Sequence, residues 1–283
     1  MLEDVSLRTL LIDEWKEYRL SEHRIVVNDK GTRYKLIMRG SEPIAIVSLR
    51  YKLLPNEEAL KVADEVAYEV GAVKFNEFRG KWFNSADDYV LYNKKQTQMH
   101  ALYAFDDPVA IANNDTVQLG FSIHNSIDGT LGFGAGIFTF RHACKNMFLL
   151  GYRGYSMNFD DRITLQYIYH RHTKGLVIAK QAMKNILHLL IKNGVQIIKR
   201  YRDMTNTVAK EQAIKKIVDK LPQRAIDRIM PYYDKENKRL LEEVTEWQVF
   251  NDLTGYIWHN NKASIETKIN QMRIVEKELV ITH

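Results

Sequence analysis

The spacing of apolar residues changes class near residue 170 of this 283-residue chain. Before that point, short runs such as Arg33–Met38 are rich in β-branched and aromatic residues and are separated by turn signals, which is typical of antiparallel strands. After it, Leu176, Met183 and Leu190 belong to a stripe at helical spacing. Because strands come first and helices follow, the pattern predicts an α+β fold and not a wound β-α-β sheet.

The first half is expected to form an antiparallel β-rich region with a helix after its third strand. Pro55 predicts the start of that helix, with Asn56 as its cap, and Gly71 predicts its end. Arg141–Leu150 is expected to begin another helix. The predicted strands are Arg24–Val27, Arg33–Met38, Ile44–Lys52, Val73–Arg79, Lys81–Phe83, Val90–Asn93, His100–Phe105 and Val117–His124, and the glycine-rich residues 132–140 are assigned to a strand as well.

The second half is expected to be α-helical. We predict residues 1–170 to form the antiparallel α+β domain and residues 171–283 a helical region that packs on it or extends from it. Leu241 is expected to face inward on the longest of these helices. The predicted helices are the stripe at 176–190, Val208–Leu221, Asn237–His259 and Ala263–Leu279.

Composition limits where the protein works. A single cysteine, Cys144, excludes an internal disulfide and fits a reducing compartment. The first residues lack the charged and then apolar layout of a secretory signal. No uninterrupted apolar run approaches the roughly 20 residues that a membrane helix requires. We therefore expect a cytoplasmic protein without a membrane partner.

Positive charge is concentrated in one part of the chain. Residues 171–240 contain 17 Lys/Arg against 6 Asp/Glu, although the whole chain has a net charge of only +6. Such asymmetry favours a surface for a polyanion, and nucleic acid is the commonest one. The alternative is a set of solvated helical faces with no partner.

Rings and basic residues alternate in the middle of the chain, in residues 138–174. Single-strand binders combine stacking rings with cations that neutralise phosphates, so this mixture predicts nucleic-acid contact. The alternative places the rings in the core and the charges at its rim. The candidate nucleic-acid-binding residues are Arg141, His142, Lys145, Arg153, Tyr167, Tyr169, His170, Arg171, His172 and Lys174.

Other motifs in this region predict no cofactor, metal or catalytic residue. The glycines at 132–136 lack the following Gly-Lys-Ser/Thr of a phosphate loop. His170 and His172 could share a metal with His124, Asp160 or Asp161, but this spacing lacks a defined second ligand pair. A metal-dependent nuclease therefore stays an alternative to a non-enzymatic role.

Several stretches resemble the uncharacterised phage/plasmid-like protein family. Residues 46–59, IVSLRYKLLPNEEA, resemble its V-S-x-x-Y-K-x-x-x-N-E-E-A signature, and residues 123–130, IHNSIDGT, are similar to its N-S-x-D-G-S stretch. Residues 138–147, FTFRHACKNM, resemble P-x-R-x-V-C-x-N-T-L, and residues 170–173 its R-H-T. The resemblance covers roughly residues 24–260, and Phe138 and Met147 depart from it.

The resemblance implies a role in the DNA metabolism of a virus or plasmid. By analogy of fold alone, the chain also resembles single-strand annealing proteins. The leading hypothesis is an oligomeric single-stranded DNA-binding protein that anneals strands or assists recombination. Arg141, Lys145, Arg171 and Lys174 would contact phosphates, and Tyr167, Tyr169 and Phe140 would stack on bases. The alternatives are the nuclease and a structural or host-interaction protein of the mobile element.

Overall fold

A computed structural model describes residues 20–25, 34–75, 89–93, 95–143, 146–150, 156–159, 163–166, 169–170, 181, 194–259 and 262–281. It contains antiparallel sheets and helices, with the strands concentrated in the N-terminal half and helices in the C-terminal half. The predicted α+β class is therefore confirmed. The predicted helical stripe at 176–190 lies outside the described residues except for Gln181.

A small antiparallel sheet opens the described chain. Its strands are β1 (Leu20–Ile25), β2 (Tyr34–Arg39) and β3 (Glu42–Ser48), in that spatial order. Gly40 adopts the left-handed φ of +57° that the tight β2–β3 turn requires. Helix α1 (Asn56–Val70) follows β3, as the sequence predicts.

The start of α1 differs from the prediction. Pro55 occupies the N-cap position and Asn56 is the first helical residue, so the cap assigned to Asn56 is wrong. The Asn56 side chain is instead buried, and its oxygen accepts a hydrogen bond of 2.9 Å from Asn125 Nδ2. The end of the helix is as expected, because Gly71 has a left-handed φ of +71° and caps the last turn.

The central sheet contains eight strands, with the main order β10-β9-β8-β6-β4. Strand β5 pairs with β6, β7 with β8, and β13 with β9, while β11 (Ser156–Phe159) and β12 (Ile163–Gln166) form a separate pair. The eight strands are β4 (Val73–Lys74), β5 (Val90–Tyr92), β6 (Gln98–Ala104), β7 (Val109–Ala112), β8 (Asp115–Ser126), β9 (Phe133–Arg141), β10 (Asn146–Leu150) and β13 (Tyr169–His170).

The helix predicted at Arg141–Leu150 is wrong. Residues 146–150 form β10, which pairs antiparallel with β9 from Asn146 opposite Arg141 to Leu150 opposite Ile137. A short apolar run fits either class of element by spacing alone, and here pairing with a neighbouring strand decides it. The adjacent glycine run does enter a strand, β9, as expected.

The second half combines helices with a short hairpin that the sequence did not predict. Residues 194–206 are helical (α2) and are followed by α3 (Glu211–Val218) and α4 (Gln223–Ile226). The hairpin, β14 (Tyr233–Asp234) and β15 (Arg239–Leu240), precedes α5 (Glu246–His259). Helix α6 (Ile265–Val275) continues into a π-helical segment, Glu276–Ile281.

The predicted helix from Asn237 is wrong at its start, because the hairpin occupies residues 233–240 and α5 begins only at Glu246. Leu241 consequently lies beside the hairpin, 56% exposed, and does not face the core.

One hydrophobic core joins the central sheet to the helices. It extends along the chain from Leu54 to Val280, while Ile37, Val47 and Tyr51 form a smaller cluster under the first sheet. The sheet and α2 also share a buried hydrogen bond of 3.1 Å between Thr139 and Tyr201. The helices of the second half are thereby fixed on one face of the central sheet.

Candidate nucleic-acid interface

The predicted nucleic-acid-binding residues are only partly described by the structure. The side chains of Arg141 and His142 are described, and for Tyr169 and His170 the backbone pairing in β13. The remaining six lie outside the described residues: Lys145, Arg153, Tyr167, Arg171, His172 and Lys174.

Arg141, at the end of β9, is held by groups of the fold. Its Nε donates to both carboxylate oxygens of Asp115, at 2.8 and 2.9 Å, and its guanidinium lies 5.8 Å from the ring centre of Trp247. The indole Nε1 of Trp247 donates to the same Asp115 carboxylate at 2.8 Å. The Arg141 side chain is 23% exposed. These contacts fasten α5 to the sheet and leave a minor part of the guanidinium facing solvent.

Asn146 fastens α5 to the sheet a second time. Its Nδ2 donates to the Asn251 carbonyl at 3.0 Å, and its Oδ1 lies 3.1 Å from His259 Nε2. A Cβ on Gly255 would lie only 3.3 Å from the Asn146 amide, so the glycine permits this close approach. Arg141 and Asn146 belong to one of the motifs that carry the family resemblance, and both hold this helix in place.

A third contact, between helices, is more deeply buried. Arg200 on α2 donates to Glu246 Oε2 and to the Leu279 carbonyl, both at 2.6 Å. Glu246 is fully buried, and the Arg200 side chain is 12% exposed. We refer to Asp115, Arg141, Asn146 and Arg200, with their partners on α5, as the α5 seam.

His142 follows Arg141 in an exposed turn. Its ring lies 5.1 Å from that of Phe140 in an edge arrangement, and its backbone N–H donates to the Thr116 carbonyl at 3.3 Å. Phe140 itself is 1% exposed and lies in the core. The suggestion that Phe140 stacks on a base is therefore wrong, because its faces are covered by protein.

The described residues of the predicted strip lie at opposite ends of β9. Tyr169 pairs with Gly134 and His170 with Phe133, whereas Arg141 is the last residue of the strand. Arg141 lies seven positions after Gly134, which corresponds to about 23 Å of extended strand. A nucleic acid would therefore meet these residues as two separate contacts.

The motifs at 46–59 and 123–130 meet in a buried polar network. Asn125 Nδ2 donates to the Leu54 carbonyl and to Asn56 Oδ1, both at 2.9 Å, and the Tyr51 hydroxyl donates to the Ser126 carbonyl at 3.0 Å. Burial raises the pKa of Tyr51, and the nearby Asp128 carboxylate raises it further. A neutral, hydrogen-bonded tyrosine in such surroundings joins the two sheets and does not serve as a base.

The histidines whose side chains the structure describes do not gather into a metal-binding cluster. His100 and His124 are buried neighbours on β6 and β8, with ring centres 6.0 Å apart. The register places His124 opposite Gly134 and His170 opposite Phe133, so the two positions belong to different rows of the sheet. Among the described residues, no group of three or more His, Cys, Asp or Glu side chains could hold a metal ion. His172, Asp160 and Asp161 lie outside those residues.

The C-terminal region presents its cations to solvent. Between residues 199 and 239, eleven Lys/Arg side chains are exposed, against five exposed Asp/Glu side chains. We call these eleven cations the basic surface: Lys199, Arg202, Lys210, Lys215, Lys216, Lys220, Arg224, Arg228, Lys235, Lys238 and Arg239.

Buried carboxylates position part of the basic surface. Lys216 and Lys220 lie 3.6 and 3.3 Å from Glu278, whose side chain is almost fully buried. Arg228 lies near Asp252 on α5, and Arg141 approaches the same carboxyl from the sheet. Burial raises the pKa of Asp252, while the Tyr232 hydroxyl at 2.8 Å and the two guanidiniums oppose that rise. Arg228 of the basic surface and Arg141 of the sheet thus both act electrostatically on the Asp252 carboxyl.

The hairpin of the basic surface was not predicted from the sequence. The signal is present, because Asp234 to Asn237 is a polar turn sequence that follows Pro231. Residues 237–259 resemble one helix since apolar residues recur at helical spacing beyond the turn.

The fold is that of an α+β protein with an antiparallel central sheet, and residues 199–239 expose eleven Lys and Arg side chains. Within the described residues, no helix has the length and apolar character needed to span a bilayer. Residues 43–278 match the family model described as "Domain of unknown function (DUF932)", and the chain belongs to that family. No curated protein and no solved structure matches the chain.

Proposed function

We propose that this protein binds nucleic acid through the basic surface and serves the DNA metabolism of a mobile genetic element. The observation that carries the proposal is the density of exposed Lys and Arg side chains between residues 199 and 239. Such a patch attracts phosphates without regard to sequence and releases condensed counterions when they bind.

The arrangement of the cations supports a backbone-contacting surface. They project from α2, α3, α4 and the hairpin, which share one core, so they have fixed relative positions. Lys216 and Lys220 are oriented by Glu278, which places two ammonium groups side by side. Fixed spacing favours a polymer of regularly spaced phosphates over isolated small anions.

The test is a titration of the full chain with labelled DNA at increasing salt. We expect log K to fall linearly with log salt, by about 0.7 per neutralised phosphate for single strands and about 0.9 for duplex. Changing Lys199, Lys215 and Lys216 to Gln together should reduce the slope by about one for each phosphate that these lysines neutralise.

A matched control removes three exposed cations from another region, Arg50, Lys52 and Lys95. The control triple variant should bind as the wild type does. Absence of binding to any DNA at low salt, or equal losses in both triple variants, contradicts the proposal.

A further inference from the structure

Residues 194–246 follow a distinctive order of elements. Helix α2 leads into residues 207–209, which run antiparallel to residues 244–246: Ala209 N donates to the Val244 carbonyl and Glu246 N to the Thr207 carbonyl, each at 2.9 Å. Between these two segments lie α3, α4 and the β14–β15 hairpin. Helix, extended segment, helix, helix and hairpin, closed by a bridge back to the first extended segment, is an order of elements shared with winged helix-turn-helix domains.

Helices α3 and α4 have the connection length of a helix-turn-helix. Four residues connect Val218 to Gln223, and two helices joined by a turn of this length form the DNA-binding motif. Helical hydrogen bonding continues beyond Ile226, since Met230 N donates to the Ile226 carbonyl at 3.1 Å. The inner side of this second helix is buried: Ala225, Ile226 and Ile229.

The outer side of α4 and its last turn is polar and exposed. It presents Gln223, Arg224, Asp227 and Arg228. Arginine pairs with guanine edges in the major groove, and an α-helix fits that groove. Arg224 and Arg228 supply this residue type, whereas the Gln223 amide is engaged within the protein, since its Nε2 donates to Asp227 Oδ1 at 2.9 Å. The helix therefore carries suitable residue types on the side that faces away from the core.

The turn of the hairpin is held by hydrogen bonds, and the hairpin carries three exposed cations. Asp234 Oδ1 accepts from the backbone N–H groups of Glu236 and Asn237, at 3.0 and 3.1 Å, which fixes the turn. Lys238 follows with a left-handed φ of +54°, a conformation that favours glycine or asparagine. A lysine held in this strained conformation places a charge at the tip of the hairpin, as strained residues often do at functional sites.

The hairpin is also fixed relative to the two helices. The Leu240 N–H donates to Glu211 Oε1 on α3 at 3.0 Å, and Lys235 Nζ donates to Gln223 Oε1 on α4. Lys235 therefore lies beside the exposed side of α4, and Lys238 and Arg239 follow it on the same short hairpin. A ligand held by this helix would have its phosphates next to the hairpin.

The aromatic rings of this region favour a duplex over a single strand. Non-specific single-strand binding uses exposed aromatic rings on which bases stack. No Tyr, Phe or Trp ring between residues 194 and 259 is exposed: Tyr201, Tyr232, Tyr233, Trp247, Phe250 and Trp258 are buried, and Tyr256 is half-buried. In a duplex the bases are already stacked, so phosphates and groove edges suffice for recognition.

We propose that residues 207–246 form a winged helix-turn-helix unit that binds double-stranded DNA, with α4 in the major groove and the hairpin on the phosphate backbone. This inference rests on the proposed nucleic-acid function and specifies its partner and geometry. It replaces single-stranded DNA as the expected partner of the basic surface.

The experiment compares the full chain on one mixed-sequence DNA duplex, its separated strands and the RNA duplex of the same sequence. We expect the DNA duplex to bind at least about tenfold tighter than either alternative. The major groove of A-form RNA is too deep and narrow for side chains to read, and the single strands lack a stacking platform.

Two substitutions test the geometry. Arg224→Gln should weaken binding to G·C-rich duplex by about tenfold and binding to A·T-rich duplex by much less, because arginine pairs with guanine. Lys238→Gly should weaken both duplexes equally and reduce the salt slope by about one. Lys238→Gly should also have a higher Tm than the wild type, so weaker binding would not reflect unfolding.

The failures are distinguishable. If no DNA binds at low salt, both the proposed function and this inference are wrong. If single strands bind as tightly as duplex, or if Arg224→Gln weakens all duplexes equally, the nucleic-acid function stands and the helix-turn-helix assignment is overturned. If Lys238→Gly leaves both the affinity and the salt slope unchanged, the hairpin is not on the backbone.

Discussion

At the α5 seam the cations hold the protein together, whereas on the hairpin they face solvent. Arg141 and Arg200 donate to carboxylates that the fold largely buries, those of Asp115 and Glu246. Lys238 and Arg239 are exposed, and Arg239 Nε lies 4.0 Å from the partly exposed Asp234 carboxylate, which also accepts the backbone N–H groups that hold the turn. Charge alone therefore does not identify a binding surface.

Mutations in the two regions should therefore affect different properties: stability at the α5 seam and affinity for phosphates on the hairpin. Removing a carboxylate from the seam leaves a cation buried without its partner, and this destabilises the protein. Removing a cation from the hairpin leaves the fold intact and lowers only the attraction for phosphates. A seam substitution that left stability unchanged, or a hairpin substitution that unfolded the protein, would therefore contradict these assignments.

Glu246→Ala is expected to have the largest effect on stability. It leaves the guanidinium of Arg200, which is 12% exposed, without its carboxylate. Breaking a buried pair by removing one partner costs about 3–5 kcal/mol. Urea unfolding followed by circular dichroism measures the change. Glu243→Ala, an exposed acid just before α5, is the matched control and should stay within about 0.5 kcal/mol of the wild type.

Asp115→Ala should destabilise the protein somewhat less, by about 2–3 kcal/mol, because Arg141 is partly solvated. The same change removes the acceptor of the Trp247 indole N–H, so the tryptophan emission of the native state should shift. Asp107→Ala, an exposed acid in the turn between β6 and β7, is the control. A loss no greater than that of the control would show that Arg141 is not fastened by Asp115.

The seam also shows how far the sequence can predict the site. Cations and rings alternate around Arg141, and that pattern is the same whether a cation faces a phosphate or a carboxylate. Asp115 and Trp247 are 26 and 106 positions away in the chain, so only the tertiary fold brings them to Arg141. Single-sequence patterns hold no signal for such a contact.

Sequence patterns predict an element correctly where the signals for its start, buried face and end all lie within the element itself. Helix α1 has a proline start, a buried stripe and a glycine end, and it forms as expected. Strand β10 resembles a helix in sequence because its apolar run is short, and pairing with β9 decides its class. The hairpin escapes prediction because its strands are two residues each and depend on the contact between Leu240 and Glu211.

A buried lysine next to the seam makes stability depend on pH. Lys268 on α6 is fully buried and donates to the Trp258 carbonyl at 2.7 Å, near the end of α5. Burial lowers its pKa to about 7. The unfolded chain, with a lysine pKa near 10.4, then binds more protons than the folded chain between these values, so stability rises with pH across this window.

We expect the free energy of unfolding to rise by about 2 kcal/mol between pH 7 and pH 9 through Lys268. Lys268→Met, which keeps the length of the side chain and removes the titrating group, should abolish this part of the rise. Urea unfolding of both proteins at several pH values gives the comparison. Equal pH dependence in the two proteins would show that Lys268 keeps its proton throughout. Lys262→Met, an exposed lysine nearby, is the control.

The smallest expected change in stability is at the hairpin, where a substitution should stabilise the protein and not destabilise it. Lys238→Gly should stabilise the protein by about 0.5–1 kcal/mol, because glycine adopts a φ of +54° without the steric penalty of a Cβ. Lys238→Ala removes the same charge and keeps the Cβ, so it should not be stabilised. If the two variants unfold at the same urea concentration, the gain comes from reduced charge repulsion and the hairpin is not strained. If only Lys238→Gly is more stable than the wild type, the backbone conformation of Lys238 lowers stability. If both variants also bind DNA more weakly by the same factor, the charge of Lys238 contributes to DNA binding.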